Sequence, residues 1–111
     1  MQSFSSYVGG LKKRSPETDE RRDQYAAQFV AVDDVLAFAL DDGAENEEED
    51  VIIRHQGFDL GYVPTKRSLI RKALRSGTPV GGRVTAIRHG GHWIFRGVQR
   101  VEIEIRILRK P

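Results

Sequence analysis

The stretch from Leu60 to Gly77, Leu-Gly-Tyr-Val-Pro-Thr-Lys-Arg-Ser-Leu-Ile-Arg-Lys-Ala-Leu-Arg-Ser-Gly, joins a short β-rich run to a basic amphipathic one. It constrains the chain more than any other segment. Proline has a fixed φ and no N–H, so a helix tolerates it only in the first turn, while glycine readily takes the left-handed conformation that ends one. Pro64 and Gly77 therefore bracket a predicted helix over about residues 65–76. Leu69, Ile70, Ala73 and Leu74 fall on one face, and Lys66, Arg67, Arg71, Lys72 and Arg75 occupy the rest. Such a helix must lay its apolar stripe on something, and the flanking sequence offers strands.

Val51–His55 and Phe58–Val63, separated by Gln56-Gly57, read as a β-hairpin of β-branched and aromatic residues around a glycine turn. Beyond the helix, residues 79–88 alternate well enough for a strand, and Gly81-Gly82 suggests a bulge or sharp bend within it. His89 to His92 reads as a turn, and Trp93 to Arg96 continues the strand pattern. From Val98 to Leu108, Val101, Ile103, Ile105 and Ile107 alternate with Glu102, Glu104, Arg106 and Leu108, the period of a strand with one buried face. Val35 to Leu40 is a continuous apolar run between Asp33-Asp34 and Asp41-Asp42-Gly43, short enough to be a buried strand. Residues 1–24 are polar and expected to be largely mobile, with Phe4, Tyr7, Val8 and Leu11 able to anchor a first strand. Residues 25–111 then form one domain. The expected fold is mainly β within the α+β class: a small OB-like curved antiparallel sheet or barrel of about six strands with one covering helix.

The formal net charge of +2 conceals an asymmetry. Residues 1–50 carry five Lys/Arg against thirteen Asp/Glu, whereas residues 51–111 carry thirteen against three. Such a split points to a face for polyanions, to an acidic segment that shields one, or to charges that neutralise each other across a solvated surface. Asp41 to Asp50 holds seven carboxylates, without the alternating spacing of an EF-hand loop, and reads as a self-repelling solvated loop. With no cysteine, the chain has neither disulfides nor thiolate metal sites. His55, His89 and His92 have poor spacing for zinc, so neither a metal nor a cofactor is expected. No Gly-x-Ser-x-Gly elbow surrounds Ser68 or Ser76, and the chain is not read as an enzyme. No apolar run approaches membrane length and the first residues lack a signal-peptide pattern, so the chain reads as soluble and cytoplasmic.

The order of elements, with Leu60-Gly61-Tyr62-Val63-Pro64, the basic helix ending Arg75-Ser76-Gly77, and Val80-x-x-Arg83-Val84-x-x-Ile87, resembles the HIRAN domain over roughly residues 28–106. The resemblance implies an OB-like barrel, found free-standing or attached to helicases and nucleases. It also implies a non-enzymatic module for single-stranded DNA or DNA 3′ ends, acting in DNA repair or replication-fork processing. That family's 3′-end motif, Arg-x-Pro-x-Asn-Pro-x-Asp-x-Asn-Ala, corresponds here to residues 40–50, which keep only acidic character and Asn46, so its ligand residues are not carried over.

Single-strand binding calls for cations to meet phosphates and aromatic faces to stack on bases. The candidates are Lys66, Arg67, Arg71, Lys72 and Arg75 on the helix, Arg83, Arg88 and Arg96 on the following strands, and Tyr62 and Trp93 as stacking rings; Phe95 is read as core. The alternative function is a protein-interaction adaptor that uses the acidic loop 41–50 and the basic face, with a helicase, a nuclease or a second copy as partner.

Overall fold

The computed structural model describes residues 2–44, 46–89 and 98–108. Six strands and two helices follow in the order β1 (Gln2–Tyr7), α1 (Arg22–Phe29), β2 (Val35–Leu40), a 3-10 turn at Glu47–Glu49, β3 (Val51–His55), β4 (Phe58–Tyr62), α2 (Arg67–Arg75), β5 (Val80–His89) and β6 (Val98–Ile107). The strands form one antiparallel sheet in the order β1-β6-β5-β2-β3-β4, curled into the half-barrel of a small OB-like fold. Among the described residues no helix is long and apolar enough to cross a membrane.

The alternating strand β6 lies between β1 and β5 and buries Val101, Ile103, Ile105 and Ile107 completely, together with Val98. The bends in this part of the sheet do not fall at Gly81-Gly82. Two steps of β5 oppose one of β6 between Val84 and Ala86, and two steps of β6 oppose one of β5 between Arg88 and His89. Gly82 instead makes room for a neighbour, since a Cβ there would stand 2.8 Å from the Phe38 ring. β2 is the predicted strand but is buried only at Leu36, and Val35 is 78% exposed. Its first residues pair with β5 and its last four with β3, so it carries the sheet around a corner with only one face covered.

The curl ends where the chain just past β1 meets the end of β4. The Gly9 N–H donates to the Tyr62 carbonyl at 2.8 Å and the Tyr62 N–H donates to the Gly9 carbonyl at 3.0 Å. Backbones approach this closely because Gly61 has no side chain; a Cβ there would stand 2.2 Å from the Gly9 oxygen. The Tyr62 ring covers the same seam, and a Cβ on either Gly9 or Gly10 would lie 2.6 Å from a ring carbon. Arg22 locks it from inside, donating to the Asp59 carboxylate at 2.9 Å and to the carbonyls of Asp59 and Gly10, each at 3.3 Å.

The first strand forms where Phe4, Tyr7, Val8 and Leu11 suggested an anchor, and residues 2–24, expected to be largely mobile, are tied to the sheet. All six residues of β1 pair with β6, Val8 and Leu11 are core residues, and Ser15, Arg22 and Asp23 are buried. The segment ends in a helix, α1, that hydrophobic periodicity does not reveal. Its inward stripe is Arg22, Asp23 and Ala26, so charged groups stand where an apolar pattern would be sought. Tyr25 stacks on Phe58 with ring centroids 3.8 Å apart, which fastens the helix to β4.

The basic helix is shorter than predicted. It begins at Arg67 after Lys66 in a left-handed conformation, so Pro64 precedes it and does not occupy its first turn. Its end is as expected: Gly77 has φ +76°, the Thr78 N–H donates to Ala73 at 2.9 Å and the Gly77 N–H to Leu74 at 3.3 Å, the paired bonds of a Schellman stop. Ile70 and Ala73 are buried where α2 packs on β2, β3 and β5.

Candidate nucleic-acid interface

Three of the four cations of α2 already face carboxylates. Arg67 donates to the Glu47 carbonyl and to Asp50, the Arg71 Nε lies 3.1 Å from Asp50 without hydrogen-bond alignment, and Arg75 lies 3.6 Å from Asp42. Lys66 stands over the Phe4 ring at 4.9 Å. Lys72 is exposed and makes no ion pair among the described residues. The acidic stretch is thus not solvated throughout, because part of it lies against the basic helix. Its 3-10 turn is capped by Asn46, whose side chain accepts from the Glu48 N–H at 3.0 Å.

Arg83 is apart from this surface, paired with Asp33 at 2.7 Å and near Glu104 at 3.7 Å. Trp93 and Arg96 lie outside the described residues, as do Phe95 and His92. Of the predicted residues, Tyr62 and Arg88 come together in a different place, a groove of about 840 Å³ beside the seam. Four residues absent from the predicted set complete it: Tyr7, Lys12, Lys13 and Arg100.

The strand register explains why these side chains meet. Tyr7 is opposite Glu102 across β1 and β6, and Arg88 is opposite Arg100 across β5 and β6. Opposed residues of antiparallel strands project to the same side, so all four stand on the outer face, away from the buried isoleucines. The Arg100 guanidinium lies 4.3 Å from the centroid of the Tyr7 ring, and the Lys13 ammonium lies 5.8 Å from that of Tyr62. Among the described residues four cations line the groove, against Glu102 as the one lining carboxylate. Arg88 and Arg100 share that carboxylate, at 3.5 and 3.8 Å. Like charges directly opposed across a sheet cost stability, and local rules broken in this way mark functional surfaces.

No family model, curated protein or solved structure matches this chain. The reading of the surface therefore rests on its chemistry.

A catalytic-looking row escaped the sequence. His55 is fully buried, with Nε2 2.8 Å from Asp34 Oδ2 and Nδ1 2.9 Å from the Tyr25 hydroxyl. None of the three lines the groove, and burial pushes the Tyr25 hydroxyl up, away from nucleophilic ionisation. The row ties α1 and the start of β2 to β3. Only topology reveals it, because its members are 9 and 21 residues apart in sequence. Among the described residues no three His, Asp or Glu side chains gather as a metal site.

The row has a measurable consequence. The Ala31 N–H, and then His55, hold the Asp34 carboxyl below its ordinary value. The unfolded chain takes up that proton more readily, so Asp34 adds stability above about pH 4 that is lost as pH falls through the lowered folded value. Asp34→Asn is expected to flatten the acid limb of the stability profile, read by urea unfolding at successive pH values. An unchanged limb would rule out Asp34 as a source of acid sensitivity.

Proposed function

We propose that the chain is a non-enzymatic module that binds single-stranded nucleic acid, with single-stranded DNA as its substrate, in the groove beside the seam. One observation carries the reading: Tyr7 and Tyr62 line a single groove together with Lys12, Lys13, Arg88 and Arg100. Stacking on an aromatic face contributes about 1–3 kcal/mol per base, and cations between such faces track the phosphates. The resemblance to the HIRAN domain supports DNA as the target and a role in repair or fork processing, beside a helicase or nuclease, while the altered 40–50 stretch leaves end recognition to be tested. Arg83 and the cations of α2 are not part of this groove as it stands.

The adaptor reading draws on a separate observation. Phe29, Val32 and Val35 are all more than half exposed around the end of α1 and the start of β2. The acidic loop supports it less well, because that loop is occupied within the chain.

The test is fluorescence anisotropy with a labelled oligothymidylate of about ten nucleotides, within the site size of an OB-like fold. Arg88→Glu with Arg100→Glu is expected to weaken binding at least about tenfold and to flatten its salt dependence by about 0.7 in slope per lost phosphate contact. Tyr7→Ala is expected to weaken binding about fivefold or more with little change in that slope. A parallel oligonucleotide blocked at its 3′ hydroxyl separates end binding from general single-strand binding. Equal affinity for parent and charge-reversed protein would remove the groove from consideration.

A further inference from the structure

We propose that the acidic turn at Asn46 to Asp50 is an internal stand-in for a phosphate backbone, and that a bound strand displaces it to extend from the groove onto α2. The inference rests on the groove binding single strands. Three contacts place the turn between the two basic surfaces. Glu49 pairs with Lys13, which lines the groove, while Asp50 faces both Arg67 and Arg71 on α2. The turn therefore holds one cation of the groove and two of the helix at the same time.

The cover is suited to displacement. Asn46, Glu47 and Glu48 are exposed, and no residue of the turn belongs to the hydrophobic core. Charge pairing holds the carboxylate side chains, while the backbone of the turn is fixed by the Arg67 bond to the Glu47 carbonyl and by the Asp41 N–H donating to the Asp50 carbonyl at 2.8 Å, so it is the side chains that a strand displaces. The Lys13–Glu49 pair is the more exposed of these, and exposed pairs are weak and weaken further with salt, while the half-buried Asp50 is given up only where phosphates replace it on Arg67 and Arg71. A phosphodiester strand offers the same cations a comparable arrangement of oxygens, together with bases for the tyrosines. α2 extends the path with an open cleft lined by Ser68, Arg71, Lys72, Arg75 and Ser76. Arg67 and Arg71 would then contact phosphates only after the turn's carboxylates have left, beside Lys72 and Arg75, which the turn does not hold.

The test compares the parent with Glu49→Gln/Asp50→Asn, and with Glu17→Gln/Glu20→Gln as a control that removes the same charge elsewhere. Glu17 pairs with Arg54 on β3, and neither control residue lines the groove or the α2 cleft. The probe is the same labelled oligothymidylate, titrated at a series of salt concentrations, with folding checked by amide NMR spectra. The first variant is expected to bind about tenfold tighter than the parent at low salt, since the strand no longer competes with the turn. Its salt dependence should be steeper, because in the parent salt loosens the cover while it weakens the DNA contacts. The control should change affinity much less. In the parent, DNA should shift the amide signals of residues 46–50 as well as those of the groove.

Equal gains in both variants would reduce the effect to bulk charge and overturn the proposal. Parent-like binding by the first variant would overturn it and leave the groove intact. Absence of binding by every protein at low salt would defeat the groove reading and this one with it. Should the double variant fail to fold, Glu49→Gln alone, at an exposed pair, decides by the same direction of change.

Discussion

Replacing Arg22 with methionine is expected to cost about 3–5 kcal/mol of stability, the range for breaking a buried ion pair from one side. The side chains of Arg22 and Asp59 are 8% and 3% exposed, and the guanidinium supplies bonds to the Asp59 carboxylate, the Asp59 carbonyl and the Gly10 carbonyl. Methionine fills much of the same volume but leaves the Asp59 carboxylate without its cation. Small domains have only about 5–15 kcal/mol in total, so the variant should unfold at a markedly lower urea concentration. Removing both charges, in Arg22→Met/Asp59→Leu, should recover much of the loss, because a well-packed apolar pair is often no worse than a buried ionic one. A midpoint within experimental error of the parent for Arg22→Met would show that the pair does not hold the seam.

Gly61→Ala is the second large effect. A Cβ at this position would stand 2.2 Å from the Gly9 carbonyl oxygen and 2.6 Å from a Val8 methyl, with φ at +154°. The strained backbone alone costs about 1–3 kcal/mol, and the clash is with main chain, which cannot swing aside as a side chain could. Either the two bonds between Gly9 and Tyr62 break or β4 moves. Both outcomes pull the Tyr62 ring off Gly9 and Gly10, so the variant should lose DNA affinity together with stability. Thermal unfolding and anisotropy measured on the same preparation check this. Parent-like unfolding would mean that the seam relaxes without cost.

Much of the fold was legible because its buried faces are apolar and periodic. β6 alternates Val101, Ile103, Ile105 and Ile107, and α2 sets Ile70 and Ala73 at helical spacing before a glycine stop. The Gln56-Gly57 hairpin was equally plain. α1 was not, because its inward residues Arg22 and Asp23 are charged, and their burial makes sense only beside Asp59 and Arg21. The closure at Gly9-Gly10 was not legible either, since a glycine pair signals freedom and close approach without naming the partner. The groove was legible only in part. Tyr62 and Arg88 were picked out with the basic helix, but Tyr7, Lys13 and Arg100 come from opposite ends of the chain and meet only through the pairing of β1 with β6. The charge asymmetry did have a structural counterpart, in which the acidic half of the chain sits on the helix of the basic half.

That same pairing governs when the fold can form. Gln2 lies opposite Ile107, so β1 has no sheet partner until β6 has left the ribosome, and β5, paired with β2 along one edge, waits for the same strand on its other. The early part of the chain can assemble β2, β3, β4 and α2, whose partners are near in sequence, but the half-barrel acquires last the strand that joins β1 to β5. Contacts of such long sequence separation fold slowly, which leaves β1 and β5 as open edges during synthesis. Arg83, Arg88 and the serines of β1 then act as charged and polar guards on those edges, keeping the unfinished sheet from pairing with another chain.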